Sequence, residues 1–459
     1  MYSVDGTCIL HPNVKYMNIS QVNPLDATVR DFYCEDGADL FAKCRSFNAF
    51  LKELNHDGTY ETIYRLPLTS ALDHRIKVRD PVNGQILEMI CYDSNSYLGL
   101  NIHPKVIEAV KRAVDDVGYG TPSAQVLGGT NYYLKRLEEA VSRFHQREDT
   151  IIFPSGYSAN IGVFNALLRK NDLVAIDRFA HASIHDGARS SGVGVRIVYP
   201  HNDLAELDRQ LNGAGDGSFC GGKLIASDGV FSMHGTLAPL KELRALATRH
   251  AAVLLVDDAH STGVIGPNGY GIEEHFGMPG AIDVLVGTFS KAAGAVGGYV
   301  SGSSELVNYL RYYANSGLFT AALPAATCAG VAEAFRIMQE EPEHRERLWH
   351  NVKKLDGALR EAGLLLPSKT ESPIITIYMG TSRLLRLFSR ELYKNRIKCG
   401  NVDYPAVPRG ESVIRIAVNS RHTSQDIDET VDVFSRLGKK FGILFCDANE
   451  IHEIGNRFT

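Results

Sequence analysis

The sequence predicts an α/β protein, a mostly parallel central sheet covered by helices with a smaller α+β domain after it, and three observations predict it. Short apolar runs recur between about residues 90 and 320: TIIFPSG, DLVAIDR, VRIVYP, KLIASDG, AVLLVDDAH, DVLVGTFS and GGYVSG. Continuous apolar runs of this length read as strands buried on both faces. Longer stretches with helical spacing, such as APLKELRALATRH, lie between them, and strands interleaved with helices build parallel sheets. Beyond Pro324 the pattern changes to a long helical segment, then PIITIYMG, a charged helix, RIKCGNV and VIRIAVN, the make-up of a second α+β lobe.

At 459 residues the chain exceeds what one hydrophobic core usually serves. The expected division is an N-terminal arm and hairpin over 1–88, a large domain over 89–322, a small C-terminal domain over 323–446 and a polar tail over 447–459. Within the arm, Asp39 to Leu54 has helix-like apolar spacing. RIKVRDPVNGQILEMICYDS alternates around Asn83 and Gly84, the sequence form of a β-hairpin. His103-Pro104 then opens an amphipathic helix with Ile107, Val110, Val114 and Val117 on one face.

Composition narrows the function. A hydrophobic share of 44% with 22% charged residues is ordinary for a globular protein, and a net charge of -5 offers no basic field for nucleic acid. Small-molecule chemistry is expected instead. The eight cysteines are scattered without a C-x-x-C pair, which reads as reduced thiols. With no leader and no run near the ~18 apolar residues of a membrane span, a cytoplasmic enzyme is expected, with no transmembrane segment.

Four segments carry chemistry. In DVLVGTFSKAAGAVGGYV a strand ends in Thr288, Phe289, Ser290 and Lys291, which puts a lysine at the sheet edge where α/β proteins bind ligands; a partly buried lysine can hold an aldehyde. The alternative is a solvated loop lysine. AVLLVDDAHSTG ends a second strand in Asp257, Asp258 and His260; a carboxylate there can keep a pyridine nitrogen protonated, or Asp-x-x-His is a metal pair or two unrelated loop residues. FPSGYSAN places Ser155, Gly156 and Tyr157 before a helix, suiting a phosphate or simply capping the helix. DRFAHAS supplies His181, able to stack on a flat ring, although a lone histidine is usually structural.

Together, in this order, from SNSYLGL to RIAVNSRHTSQDID, these segments resemble the α-oxoamine synthase family of fold-type-I pyridoxal-phosphate (PLP) enzymes. The resemblance implies PLP as cofactor, carried on Lys291, with Asp257 paired to the pyridine nitrogen, and His260 and Ser232 of GVFSM beside the phenolic oxygen. It implies that His181 stacks on the ring, that Gly156, Tyr157 and Thr288 cradle the phosphate, and that Thr320 of SGLFTAALPAA reaches the phosphate of a neighbouring subunit. Asn95 and Arg415 fall at its substrate-binding positions; without the resemblance they read as a turn residue and a surface charge.

The implied reaction is a decarboxylative condensation of an amino acid with an acyl-CoA or acyl-carrier-protein thioester, giving an α-amino ketone in a homodimer with shared sites. The alternatives are retro-Claisen cleavage or transamination on the same cofactor, or a non-catalytic partner subunit. Three positions depart from the family pattern: Leu134 where a histidine is usual, Gln125 where arginine or glycine is common, and His234 where an aspartate is usual. They bear on substrate identity rather than on reaction class. The long arm docks a partner such as a carrier protein, wraps the dimer, or packs as a surface extension.

Overall fold

Each apolar run named above becomes a strand. The computed structural model describes residues 23, 25–32, 39–56, 58–214 and 221–458. In chain order the strands are β1 (Arg75–Arg79), β2 (Ile86–Tyr92), β3 (Asp149–Phe153), β4 (Leu173–Asp177), β5 (Val195–Tyr199), β6 (Lys223–Asp228), β7 (Ala252–Asp257), β8 (Val284–Thr288), β9 (Gly298–Gly302), β10 (Ile374–Gly380), β11 (Ile397–Val402) and β12 (Ser412–Ala417). They form a seven-stranded sheet, ordered β3-β9-β8-β7-β6-β4-β5, and a five-stranded one, ordered β1-β2-β11-β12-β10. In the larger sheet only β9 runs against its neighbours. Apart from the partly exposed edge strand β5, its strands are largely buried on both faces; Val174, Ile176, Leu224, Ala226, Leu255, Val284 and Val286 are at most 2% exposed and form one core with the helix Gly156–Leu167.

Backbone contacts gather the chain into two units. Of the described residues, one holds those within Asn95–Ser232 and Thr236–Glu346, the other those up to Ser94, Met233–Gly235 and those from Arg347 onward. This differs from the division expected from sequence at 88/89 and 322/323. Strand β2 runs on to Tyr92 and pairs in parallel with β11, so the hairpin belongs to the five-stranded sheet rather than to an arm. The helix Ala325–Glu340 packs on the helices Pro104–Val117 and Tyr132–Phe144 of the larger unit. Gly330 permits that approach, since a Cβ there would lie 2.7 Å from Val110.

Three local expectations are corrected. The hairpin loop spans Asp80 to Gln85, closed by Asp80 N donating to Gln85 O at 2.8 Å, so Asn83-Gly84 shapes one side of a longer loop. On the helix Pro104–Val117 the buried residues are Val106 and Ala113, while Ile107, Val114 and Val117 of the predicted apolar face are exposed. The supposed tail contains a helix, Ala448–Arg457, started by a reciprocal Asp447/Glu450 capping box and anchored by buried Ile451.

Cys44, Cys91, Cys328, Cys399 and Cys446 are free thiols, and burial pushes those of Cys91 and Cys328 up to about 12. Cys8, Cys34, Cys220 and the first 22 residues of the arm lie outside the described residues. Among the described residues no helix is long and apolar enough to cross a membrane.

Candidate active site

Strands β4, β6, β7 and β8 are parallel, so their carboxyl ends line one edge, and they end on Asp177, Asp228, Asp257 and Thr288. Asp228 and Asp257 are register partners, two carboxyl groups side by side with 3% and 7% of each residue exposed. A carboxylate buried this far must be held by donors or it takes up a proton. Asp257 is held: Asn160, on the helix after β3, donates Nδ2 to its Oδ2 at 2.7 Å, and Ala259 N donates to Oδ1 at 3.1 Å. The Asp228 carboxyl accepts the His181 backbone N–H at 3.0 Å. Burial, reinforced by the Asp257 charge, drives the Asp228 carboxyl well above the usual range, against the pull of the Lys291 ammonium.

The same hydrogen-bond chain fixes His181. Asn160 Nδ2 also donates to Ser183 Oγ at 2.9 Å, and Ser183 Oγ lies 2.7 Å from His181 Nδ1. His181 caps the helix Ala182–Ser190 and presents an exposed ring, set edge-on to Tyr157 with centroids 6.4 Å apart and planes at 81°. Tyr157 in turn bonds its hydroxyl to Asp186. Behind these, His260 Nδ1 lies 2.7 Å from the Tyr97 hydroxyl, which reaches Asn95 Oδ1 at 3.5 Å. A bonded path therefore joins Asn95 to His260.

The helix Gly156–Leu167 begins against the end of β8. A Cβ on Gly156 would lie 3.0 Å from Thr288 Cβ, and one on Gly298 would lie 2.4 Å from Gly156 N. Ser155 and Ser158 cap this helix reciprocally, while Thr288 Oγ1 donates to Gly297 O at 2.9 Å and accepts from Ser290 N at 3.3 Å. A helix start approached this closely by glycine backbone has the geometry that suits an anion.

Ser232 is half-buried on the loop after β6. Thr320 adjoins a short ladder in which Ala321 pairs with Ala124 and Ala322 N donates to Ser123 O, so its segment runs beside the glycine-rich loop of its own chain. Arg415 belongs to the smaller unit, on β12 between β10 and β11, and is 8% exposed, hence no surface charge. At the departures from the family pattern, Gln125 donates Nε2 to Ile152 O at 2.8 Å, tying the glycine-rich loop to β3, and Leu134 is fully buried. Sequence reasoning missed Asn160, Ser183, Asp228 and Tyr97.

PLP demands an anion for its pyridine nitrogen, an amine for its aldehyde and N–H donors for its phosphate. The held carboxylate of Asp257, Lys291 and the Gly156 helix start are that donor set, so these residues fit it. Comparison with known proteins agrees. The model of the aminotransferase class I and II family matches residues 88–434. The 4-hydroxy-2,2'-bipyrrole-5-methanol synthase of Serratia sp. is 38% identical over 91% of this chain, which spans 63% of that relative's length. An 8-amino-7-oxononanoate synthase of Bacillus subtilis is 38% identical over 79% of this chain and 91% of its own. A structure of a serine palmitoyltransferase variant from S. paucimobilis, with bound PLP and myriocin, superposes with a TM-score of 0.82 at 31% identity, over 88% of this chain and all of that one. The chain belongs to the aminotransferase class I and II family, on the fold-type-I PLP framework, and stands among its α-oxoamine synthases, PLP-dependent acyltransferases.

Proposed function

We propose that this protein condenses an L-amino acid with an acyl thioester, delivered by CoA or an acyl-carrier protein, releasing CO2 and an α-amino ketone. The observation that carries this reading is the Asp257 carboxylate, 7% exposed and fixed by Asn160, on the sheet edge that also ends in Thr288 and leads to Lys291. PLP, when bound, supplies an electron sink for the negative charge on the amino acid's Cα.

The chain's own residues do the rest. Lys291 anchors the cofactor, then takes the Cα proton of the bound amino acid and returns one to the product. Asp257 holds the proton on the pyridine nitrogen, with Asn160 keeping its carboxylate oriented. His181, steadied through Ser183, covers the ring and faces the incoming thioester. Gly156, Tyr157 and Thr288 hold the phosphate, and His260 and Ser232 the phenolic oxygen. Asn95 and Arg415 receive substrate, Arg415 presenting its fork to the amino-acid carboxylate.

The protein works as a homodimer, with Thr320 serving the partner's site. Support comes from exposed apolar side chains: Phe319 adjoins Thr320 and Leu127 lies on the loop bridged to its segment, each 80% exposed, and Val117, Tyr119 and Tyr132, which flank that loop in sequence, are exposed too. Large apolar side chains gathered in this way mark an association surface. Free thiols at the described cysteines fit a reducing cytoplasm.

Mass spectrometry of products from a panel of amino acids with acyl-CoA and acyl-carrier-protein thioesters tests the reading. A product equal to the two substrates joined, less the thiol carrier and CO2, is expected for one pair. A product that keeps the carboxyl carbon, or amino transfer alone, overturns it.

A further inference from the structure

Three side chains outside this chemistry converge at the start of the helix Pro104–Val117 and at the corner between the helices Ala325–Glu340 and Glu343–Glu361. They are His103, Glu341 and His344, each offering one ligand atom, and these atoms all lie within 4.8 Å of one another. Glu341 Oε2 is 3.7 Å from His103 Nε2 and 3.5 Å from His344 Nε2. The two imidazoles meet edge to face, with centroids 5.6 Å apart. Donors of a four-coordinate zinc ion, each about 2.0–2.2 Å from the metal, stand roughly 3.3 Å from one another, so these spacings need little adjustment.

The carboxylate is already oriented. Lys105 Nζ bonds Glu341 Oε1 at 2.6 Å and holds that carboxyl below its usual range, in the ionised form, while Oε2 is the oxygen near the two imidazoles. An outer partner holding one oxygen of a ligating carboxylate is the usual support of a metal site. The three side chains are 14–18% exposed, sheltered but open to an entering ion. Glu341-Pro342-Glu343-His344 puts two donors on one tight corner, and His103 adds the third from a distant segment.

We propose that His103, Glu341 and His344 bind one divalent zinc-type cation, with water in the fourth position, pinning the start of the Pro104–Val117 helix to that corner. Binding through His103 Nε2 leaves the proton on Nδ1, so the 3.3 Å bond that Nδ1 now accepts from Lys105 N is given up in exchange.

The test uses the purified holoenzyme after chelator treatment and dialysis. Titration with zinc chloride by calorimetry is expected to show one ion per chain at micromolar or tighter affinity and a rise of several degrees in melting temperature. His344→Gln and, as a same-shape control on folding, Glu341→Gln should each weaken that binding at least tenfold. Cobalt in place of zinc should give a visible spectrum without the thiolate charge-transfer band that cysteine ligands such as exposed Cys44 would produce. No stoichiometric binding, equal affinity in both variants, or a thiolate band overturns the site, leaving a hydrogen-bonded cluster only.

Discussion

Asn160 donates its side-chain amide to Asp257 at 2.7 Å across 97 residues of sequence, and the same nitrogen lies 2.9 Å from Ser183 Oγ. One buried amide thus fixes both the carboxylate proposed to pair with the pyridine nitrogen and, through Ser183, the His181 ring. A hydrogen bond to a charged group contributes about 1.5–3 kcal/mol, equivalent to roughly 10- to 100-fold in a rate constant if it is needed in the transition state. Asn160→Ala is therefore expected to lower Cα deuterium exchange of the amino-acid substrate by that factor while the protein stays folded. Exchange at the wild-type rate in the folded variant would show that Asp257 needs no such support.

Gly156 begins the helix of the proposed phosphate cradle, close against Thr288. A methyl group there meets Thr288 Cβ at 3.0 Å and Thr288 Oγ1 at 3.3 Å, closer than ordinary packing. Gly156→Ala should push the helix start away from β8 and weaken PLP binding about tenfold or more, about 1.4 kcal/mol at the lower bound. Equilibrium dialysis against PLP, with circular dichroism to confirm the fold, measures it. Wild-type PLP affinity would remove Gly156 from the cradle.

The strands were legible because each is a short apolar run bounded by polar or turn residues, and all seven runs read from TIIFPSG to GGYVSG pair in the larger sheet. Lys291, Asp257, His260 and Gly156 were legible because each follows directly from a strand end, where local sequence reports position. Asn160 was not, since nothing near it in sequence announces a partner on β7, and Asp228 is only the last residue of another apolar run. The C-terminal helix did carry a signal, Asp447 followed three residues later by Glu450, a capping box in a segment otherwise read by its polarity. The spacing of the Pro104–Val117 helix shows an apolar face but not which side of the helix is covered, and Ile107, Val114 and Val117 on that face are exposed. Burial instead follows Val106 and Ala113, beneath the helix Ala325–Glu340.

Asp258, next to Asp257, gives a prediction in pH. Burial first, with Glu273 nearby, raises its carboxyl from the ordinary 3.8 to about 8. The folded chain then keeps a proton that the unfolded chain gives up, so the unfolded state binds fewer protons between those values and stability falls as pH rises through the window, levelling above about 8. Asp258→Asn mimics the protonated group in nearly the same volume and should flatten that slope. Calorimetric melting temperatures of both proteins from about pH 5 to about pH 9 should diverge as pH rises. Parallel curves would mean that Asp258 does not retain its proton in the folded state.

The proposed dimer makes the sharpest demand on the site, because it asks Thr320 to act in the neighbouring subunit while its own segment runs beside residues 123–124 of its own chain. That ladder holds the Thr320 segment and the glycine-rich loop together, and the loop carries Leu127 at 80% exposure. A segment held on this exposed rim can reach across an interface without leaving its own fold. Chains carrying Lys291→Ala and chains carrying Thr320→Val are each expected to be inactive or nearly so. If Thr320 works in trans, a hybrid dimer has one site with both substitutions and one with neither. Random subunit exchange at equal concentrations makes about half of the dimers hybrid, and one of their two sites is intact, so about a quarter of wild-type activity per chain should return. Activity no greater than the mean of the two parents, after exchange has been verified with differently tagged chains, would place Thr320 in its own subunit's site.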